Sequence, residues 1–117
     1  MFKGDFYQRL NRTYEINLSV KGRKSGRDIP RRPVWFVHEG NILYLLPNRG
    51  SDTQWYKNLL ADPMLKISAS GVEVHTRGKP ITDSNGVNEI VEKFKSKYGT
   101  DVDKYYKKFD VAAEVPI

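Results

Sequence analysis

A short basic segment offers the clearest chemistry in this chain. Residues 19–33 read SVKGRKSGRDIPRRP, in which six residues are Lys or Arg and only Asp28 is acidic. Arginine forks and lysine ammonium groups bind carboxylates and phosphates through charge-assisted hydrogen bonds. The glycines at 22 and 26 let the backbone approach a ligand and free N–H groups for an anion-binding nest. The segment therefore predicts an anion site. Composition alone leaves open a solvated, mobile loop between two strands.

The positive charge of the chain is concentrated in this segment. The net charge is +6, and residues 21–32 carry +5 of it, because the rest holds 14 basic and 13 acidic side chains. A single basic loop on a near-neutral body favours a local anion site over general attraction to nucleic acid or membranes. Nucleic-acid binding is a rival, since the basic loop and several aromatic residues could contact phosphates and stack bases. These aromatic residues are Trp35, Phe36, Tyr44, Trp55 and Tyr56. We do not expect it, because one cluster gives a small footprint.

Two familiar catalytic motifs do not fit the segment. A P-loop needs glycine immediately before its lysine, but Arg23 precedes Lys24, and Pro30 leads into a strand instead of a helix. The Gly-x-Ser-x-Gly pattern of a nucleophile elbow is absent, so a serine hydrolase is not expected.

Cysteine and histidine usage narrows the class of protein further. The chain has no cysteine, which excludes disulfides and thiolate metal sites and predicts a cytoplasmic location. His38 and His75 have no partners at ligand spacing, so we expect no metal. Residues 1–5 do not open a secretory signal, and the longest apolar runs, such as 42–46, are too short to span a membrane.

The elements that must position the basic loop follow from alternation and turn residues. Alternating apolar residues predict strands at 14–20, 33–37, 42–46, 65–69, 72–76 and 111–115. Helices are predicted at 5–12, from Ser51 or Asp52 to about Leu60, from Asp83 or Ser84 to Tyr98, and at 102–109. Trp55 and Leu59 share the inner face of the second helix. Consecutive hairpins predict one α+β domain over 1–117, with an antiparallel sheet of about six strands that closes into a small barrel.

The order of several blocks resembles one known family. GRKSGR precedes Pro33 and the aromatic strand VWFV, and ILYLLPNRG and QWYKNLLADPMLKI follow. This order, from about Leu18 to Ile81, is similar to the deazaflavin-dependent nitroreductase family, small oxidoreductases with a split β-barrel fold and short inserted helices. The run Trp-Tyr-x-Asn-Leu-x-x-x-Pro that starts at Trp55 is the most specific part.

The resemblance implies a redox activity and a coenzyme. A reduced 8-hydroxy-5-deazaflavin (coenzyme F-420) would pass a hydride to a small acceptor such as a quinone, a nitro compound or an enoate. Its phosphodiester and polyglutamate tail suit the basic loop. Arg32 before Pro33, and Pro47-Asn48-Arg49-Gly50 after the third strand, depart from the family's usual residues. FMN is therefore an alternative, as is a non-catalytic module for a cofactor or haem on the same barrel.

The resemblance also implies the site residues. The cofactor-binding set is Arg23, Lys24, Ser25, Arg27, Arg31, Arg32, Pro33, Val34, Trp35, Asn48, Arg49, Gly50, Trp55, Tyr56 and Asn58. The first four would hold the phosphate and tail, residues 33–35 would run beside the ring, and residues 48–50 would face the anionic chain. The last three begin the helix that closes the pocket.

A proton donor and an oligomeric state complete the expectations. Tyr56, Tyr98 or solvent would protonate the reduced acceptor. The sequence does not decide whether three further tyrosines, Tyr98, Tyr105 and Tyr106, lie in the core or in the pocket wall. Helical spacing favours the core for Tyr98. A homodimer is expected from the resemblance alone.

Overall fold

Seven antiparallel strands form one sheet in the computed structural model, which describes residues 3–117 apart from the side chain of Lys3. The first two residues of the predicted domain lie outside the described residues. The strands are β1 (Glu15–Val20), β2 (Arg32–Glu39), β3 (Ile42–Leu45), β4 (Met64–Ala69), β5 (Val72–Arg77), β6 (Lys79–Ile81) and β7 (Ala112–Pro116). Their order across the sheet is β5-β4-β1-β2-β3-β7-β6.

The sheet curls because its two edge strands are neighbours in the chain. Only Gly78 separates the end of β5 from the start of β6, although these strands lie at opposite edges. Thr76 on β5 donates its hydroxyl to the carbonyl of Pro116 on β7 at 2.7 Å, across the open side. The split β-barrel and the α+β class expected from the sequence are confirmed.

Four helices accompany the sheet. They are α1 (Lys3–Asn11), α2 (Gln54–Ala61), α3 (Ser84–Tyr98) and α4 (Asp101–Tyr105), and a 3-10 turn at Gly50–Asp52 precedes α2. None of these helices in residues 3–117 is long and apolar enough to cross a membrane. Asp83 caps α3 by accepting a hydrogen bond from the N–H of Gly86, and Gly99 ends that helix, both as the sequence predicts.

Two apolar cores follow from the two faces of the curled sheet. The inner core holds alternating strand residues, including Ile16, Leu18, Phe36, Leu45 and Ile67, together with residues of α1 and α2. A second core packs α3 and α4 against the outer face of β2, β3 and β7. Its buried members are Val37, Leu46, Val87, Ile90, Val91, Phe94, Tyr98, Val102, Tyr106 and Ala112.

Three local predictions need correction. The sequence suggested six strands, but Lys79–Ile81 forms a seventh, which is only three residues long and contains Pro80 at the sheet edge. The helix expected to start at Ser51 or Asp52 begins instead after Thr53, because Gly50–Asp52 forms its own 3-10 turn. Helix α4 ends at Tyr105, well before position 109.

Candidate functional site

An aromatic cleft of about 420 Å³ opens beside the first half of β2. Its lining residues are Glu15, Arg32, Pro33, Val34, Trp35, Leu46, Asn48, Trp55, Tyr105 and Tyr106. Six of the predicted cofactor residues are among them: Arg32, Pro33, Val34, Trp35, Asn48 and Trp55. The strand proline and its aromatic neighbours therefore meet the start of α2, as the matched sequence blocks suggest.

Stacked rings fix the wall of this cleft. Trp35 lies parallel to Tyr98, with 4.2 Å between the ring centroids and 6° between the planes. Tyr105 meets Trp35 edge-on at 5.6 Å, and Tyr106 lies tilted at 5.9 Å. Trp55, buried on the inner face of α2, completes the wall. Rings held in this way present a rigid apolar surface to a flat ligand at little entropic cost.

Tyr98 fills a gap in the sheet where β1 separates from β2. The paired positions of these strands run only to Glu15 and Trp35. At the next residue of β2, the N–H of Phe36 donates to the Tyr98 hydroxyl at 3.1 Å. The oxygen of that hydroxyl lies 2.7 Å from the carbonyl of Tyr14 and 2.9 Å from that of Phe36. Because the hydroxyl has one proton, it donates to one of these two carbonyls at a time. Burial raises the pKa of Tyr98 to about 12.

Lys97 also binds the backbone of Phe36 at this place. Its Nζ donates to the Phe36 carbonyl at 2.7 Å and lies 3.5 Å from the centroid of the Phe36 ring. Although the residue as a whole is exposed, desolvation of this ammonium lowers its pKa to about 8. These contacts give Tyr98 and Lys97 a structural role behind the cleft wall.

The other candidate proton donor, Tyr56, also lies away from the cleft lining. Its side chain is buried in the inner core next to Trp55. Burial, and secondarily the charge of Asp110, raises the pKa of the Tyr56 hydroxyl. A hydroxyl with a raised pKa holds its proton more firmly.

The basic loop is anchored to α2 through Arg23. The Oδ1 atom of Asn58 accepts from the Arg23 backbone N–H at 3.0 Å and from its Nη1 at 2.8 Å. Nη2 of Arg23 donates to Oε1 of Gln54 at 2.8 Å. Both partners are neutral amides, so they orient the guanidinium without cancelling its charge. Buried Asn58, predicted as a ligand contact, holds the loop.

A small hollow links this anchor to the cleft. It is lined by Leu18, Val20, Ile29, Pro30, Arg32, Gln54, Trp55 and Asn58. Arg32 and Trp55 line both spaces. The cleft thus runs from aromatic residues at one end to the anchored side of the basic loop at the other.

The remaining loop residues lie outside both linings and are exposed. They are Lys24, Ser25, Arg27 and Arg31. The loop closes as a tight turn, because the N–H of Gly22 donates to the carbonyl of Arg27 at 2.7 Å and that of Gly26 to Gly22 at 2.8 Å. The Ser25 hydroxyl accepts from the N–H of Arg27 at 3.2 Å.

Asp28 fixes the base of the loop instead of neutralising its tip. Its carboxylate pairs with Lys21 at 2.8 Å and with Lys66 of β4 at 2.7 Å. Hydrogen bonds from these two lysines lower the pKa of Asp28 to about 2. Lys21 is therefore occupied, whereas the arginines and Lys24 nearer the tip have no ion pair with residues 4–117.

The segment 48–52 is held by the chain that follows α4. The N–H of Lys107 donates to the Asn48 carbonyl at 2.7 Å, and Asp110 accepts from the N–H of Ser51 at 2.9 Å. Burial raises the pKa of Asp110, but the bonds from Ser51 and the charge of Lys108 outweigh it, so the pKa is lowered. Asn48 thereby reaches the cleft, while Arg49 is exposed outside its lining.

Four cleft residues were not in the predicted cofactor-binding set. The sequence did not decide whether Tyr105 and Tyr106 lie in the core or in a pocket wall. In the structure, both residues line the cleft. Leu46 looked like an ordinary strand residue. Glu15 occupies a polar position of an alternating strand, which is typical of a solvated side chain, so no sequence signal marks it.

Neither histidine belongs to the cleft. His38 lies 2.7 Å from the Gly40 carbonyl through Nε2, and His75 lies 2.8 Å from Oε1 of Glu73. No group of three or more His, Cys, Asp or Glu side chains within the described part of the chain could hold a metal ion.

Comparison with known proteins assigns the chain to a family. The family profile described as "Uncharacterized protein conserved in bacteria (DUF2255)" matches residues 7–114. The chain belongs to this family. No curated protein matches the chain.

Solved structures share the fold at low sequence identity. An F420-H2-dependent reductase (FDR-A) is 15% identical with a TM-score of 0.67, over 87% of this chain and 93% of that one. The haem storage protein HutZ from Vibrio cholerae is 12% identical with a TM-score of 0.70, over 97% and 88%. An FAD-binding protein from Mesorhizobium loti is 14% identical with a TM-score of 0.67, over 100% and 95%. The predicted resemblance to deazaflavin-dependent split barrels is therefore confirmed for the fold.

Proposed function

We propose that this protein is an oxidoreductase that binds a flavin-type coenzyme, a reduced deazaflavin first among them, in the aromatic cleft. The observation that carries this proposal is the continuity of the cleft. Aromatic side chains suited to a planar ring lead past Arg32 to a basic loop whose Arg23 is oriented but not neutralised. A ligand with a planar ring and an anionic chain would match this order of aromatic and then basic residues.

The residues present fit a deazaflavin better than a shorter coenzyme. Pro33, Val34, Trp35 and Trp55, which all line the cleft, would lie along the ring. Arg23 and Arg32 would bind the phosphodiester. The exposed charges of the loop tip extend beyond the cleft, where a polyglutamate tail would reach and the single phosphate of FMN would not. Similarity of fold to an F420-H2-dependent reductase supports this choice.

The chain's own part in the reaction is positioning. The bound coenzyme would supply a hydride, and the cleft's aromatic rings, with Trp35 stacked on Tyr98, would hold the coenzyme and acceptor in contact while excluding part of the solvent. The Tyr98 hydroxyl is committed to backbone groups, and Tyr56 lies in the inner core. Solvent reaching the open cleft would therefore protonate the reduced acceptor, which we propose is a quinone, nitro compound or enoate.

Equilibrium titration tests this proposal. Purified protein is titrated with the deazaflavin, FMN and FAD, and binding is followed by coenzyme fluorescence. We expect the deazaflavin to bind tightest. Arg32→Gln should weaken it by roughly tenfold, since a charge-assisted bond contributes about 1.5–3 kcal/mol. Arg12→Gln, which removes an exposed arginine outside the cleft, should change the affinity by less than about twofold.

The outcomes separate the alternatives. Absence of binding of all three coenzymes at tens of micromolar would contradict the proposal. Tighter binding of FMN would reassign the coenzyme. Binding of the deazaflavin without reduction of quinones or nitroaromatics would make the protein a non-catalytic binding module.

A homodimer is a second part of the proposal. A solved structure described as a "domain-swapped dimer" shares the fold, with 12% identity and a TM-score of 0.69. In this chain, Leu60 and Met64 at the junction of α2 and β4 are exposed apolar side chains. Sedimentation equilibrium would show twice the chain mass if the proposal is right, and a monomer would contradict it.

A further inference from the structure

Two residues of opposite charge line the cleft at separate positions along its strands. Glu15 and Arg32 are the charged residues among the lining residues, and they lie on adjacent antiparallel strands. Glu15 is paired in register with Trp35, whereas Arg32 is paired with Leu18. Three residues of an extended strand span about 10 Å, so Glu15 and Arg32 mark the two ends of the stretch of β1 and β2 beside which the cleft opens.

The Glu15 carboxylate has no partner among the side chains of residues 4–117. Its backbone carbonyl accepts from the Thr13 hydroxyl at 2.8 Å, which fixes the start of the strand. Some other acids on the surface are paired, as Glu39 is with Lys93 and Asp28 with two lysines. Glu15 has no such partner; it is exposed and lies opposite Trp35 on the neighbouring strand, where both residues line the cleft. An unpaired carboxylate next to aromatic faces attracts cations and repels anions.

We propose that the Glu15 end of the cleft is an acceptor subsite that selects planar aromatic molecules carrying a positive charge over anionic ones. This inference rests on the proposed function, because the anionic part of the coenzyme would occupy the Arg32 end. The acceptor would then stack on the coenzyme ring towards the other end of the cleft, whose lining includes Glu15, Trp35 and Tyr105. Reduction would take a hydride from the coenzyme and a proton from solvent, and the charged substituent would take no part in it.

The binding test uses two redox-inert ligands and no coenzyme. Naphthyl-trimethylammonium and naphthalene sulfonate have the same ring and opposite charges, and tryptophan fluorescence reports their binding. Glu15→Gln keeps the side-chain shape and removes the charge. We expect it to weaken the ammonium ligand by about fivefold and to tighten the sulfonate, as expected for charges about 4 Å apart near water. Glu92→Gln, an exposed acid on α3 outside the cleft, serves as the charge-matched control and should change neither affinity by more than about twofold.

A second measurement uses the coenzyme-loaded protein. Naphthoquinones with a trimethylammonium or a sulfonate group are compared as acceptors by kcat/KM. Wild type should prefer the cationic quinone, and Glu15→Gln should reduce that preference by about fivefold. Deazaflavin affinity should stay within about twofold, because the coenzyme's anionic part lies at the Arg32 end.

The two proposals fail in different ways. If Glu15→Gln leaves the ratio of ammonium to sulfonate affinities unchanged, the charge selection is overturned even if the deazaflavin binds. If the ratio shifts but wild type binds no coenzyme, the proposed redox function is overturned and the charge selection is supported. A ratio that shifts equally in Glu92→Gln would show a general charge effect and would also overturn the inference.

Discussion

Arg23 shows how a single side chain is prepared for an anion. Its guanidinium is oriented by the amide oxygens of Asn58 and Gln54, so two of its five donors are used and its charge is retained. A carboxylate in either place would hold the arginine equally well but would cancel the charge. The choice of amides is therefore what distinguishes a binding arginine from a structural ion pair.

Gln54→Glu tests this distinction. The substitution keeps the geometry on an exposed position but converts the amide contact into an ion pair. We expect deazaflavin affinity to fall by roughly fivefold, while the free energy of unfolding changes by less than about 1 kcal/mol. Coenzyme titration and urea unfolding measure the two effects. Gln8→Glu on α1 makes the same change of net charge and should leave the affinity unaltered. Equal losses in both variants would mean that the anchored Arg23 has no special part.

At the scale of single residues, the sequence predicted only part of the cleft. Pro33, Trp35 and Trp55 were predictable because each lies in a block with a recognisable order. Glu15 was not, since an exposed acid on an alternating strand is indistinguishable from a solvated one. Tyr105 reaches the cleft through the placement of a five-residue helix, which no local pattern specifies.

At the scale of elements, the turn that carries Asn48 depends on a close backbone approach. Gly50 has a φ of +54°, and a Cβ atom there would overlap the Asp110 carboxylate, which accepts hydrogen bonds from Ser51. Gly40 has nearly the same φ, +57°, but a Cβ atom would meet nothing within 4 Å. A side chain at either position would strain the backbone, but only at Gly50 would it also overlap with neighbouring atoms.

We expect Gly50→Ala to destabilise the protein more than Gly40→Ala. Left-handed strain costs an L-residue about 1–2 kcal/mol and applies to both positions. The overlap with Asp110 adds to it only at Gly50, for a total of roughly 3 kcal/mol or more. The midpoints of urea unfolding, compared at equal m-values, measure the difference in stability between the two variants. Equal destabilisation of the two variants would show that the 107–110 segment moves aside freely and does not hold the turn.

The sequence predicted most elements because alternation and turn residues agree along the hairpins. Ile16, Leu18 and Val20 are buried as expected, but Tyr14 lies before the strand and is 65% exposed. The hydrogen bonds of the Tyr98 hydroxyl to the backbone of Tyr14 and Phe36, where the pairing of β1 and β2 ends, were not predictable. The hydroxyl and the backbone of Phe36 are 62 residues apart, and their meeting depends on the packing of α3.

At the scale of the whole molecule, the uneven charge should steer the coenzyme. Lys24 and Arg27 are exposed and line neither the cleft nor the hollow, so they would attract the anionic tail before the ring enters the cleft. Replacing both with Ala should lower the association rate of the deazaflavin by about threefold at low salt, with no loss of stability. The effect should vanish near 0.5 M salt, where screening acts over a few ångströms.

Stopped-flow fluorescence at several salt concentrations measures this effect. The double variant Arg12→Ala/Arg77→Ala has the same net charge and lacks two exposed arginines outside the cleft. It should bind at close to the wild-type rate. A loss of the fold in Lys24→Ala/Arg27→Ala would instead mean that the loop tip is structural, and equal slowing in both variants would mean that only net charge matters.

The central claim, that the aromatic cleft binds a flavin-type coenzyme, is tested most directly by mapping amide chemical shifts of the isotope-labelled protein during titration with the deazaflavin. The account predicts shifts at Arg32, Trp35, Asn48, Trp55 and Tyr105, and at Arg23 where the hollow meets the loop. Absence of shifts at about 100 micromolar coenzyme, where a complex of moderate affinity is well populated, would contradict it. So would shifts confined to another surface, such as the exposed face of α3 around Asn85 and Glu92.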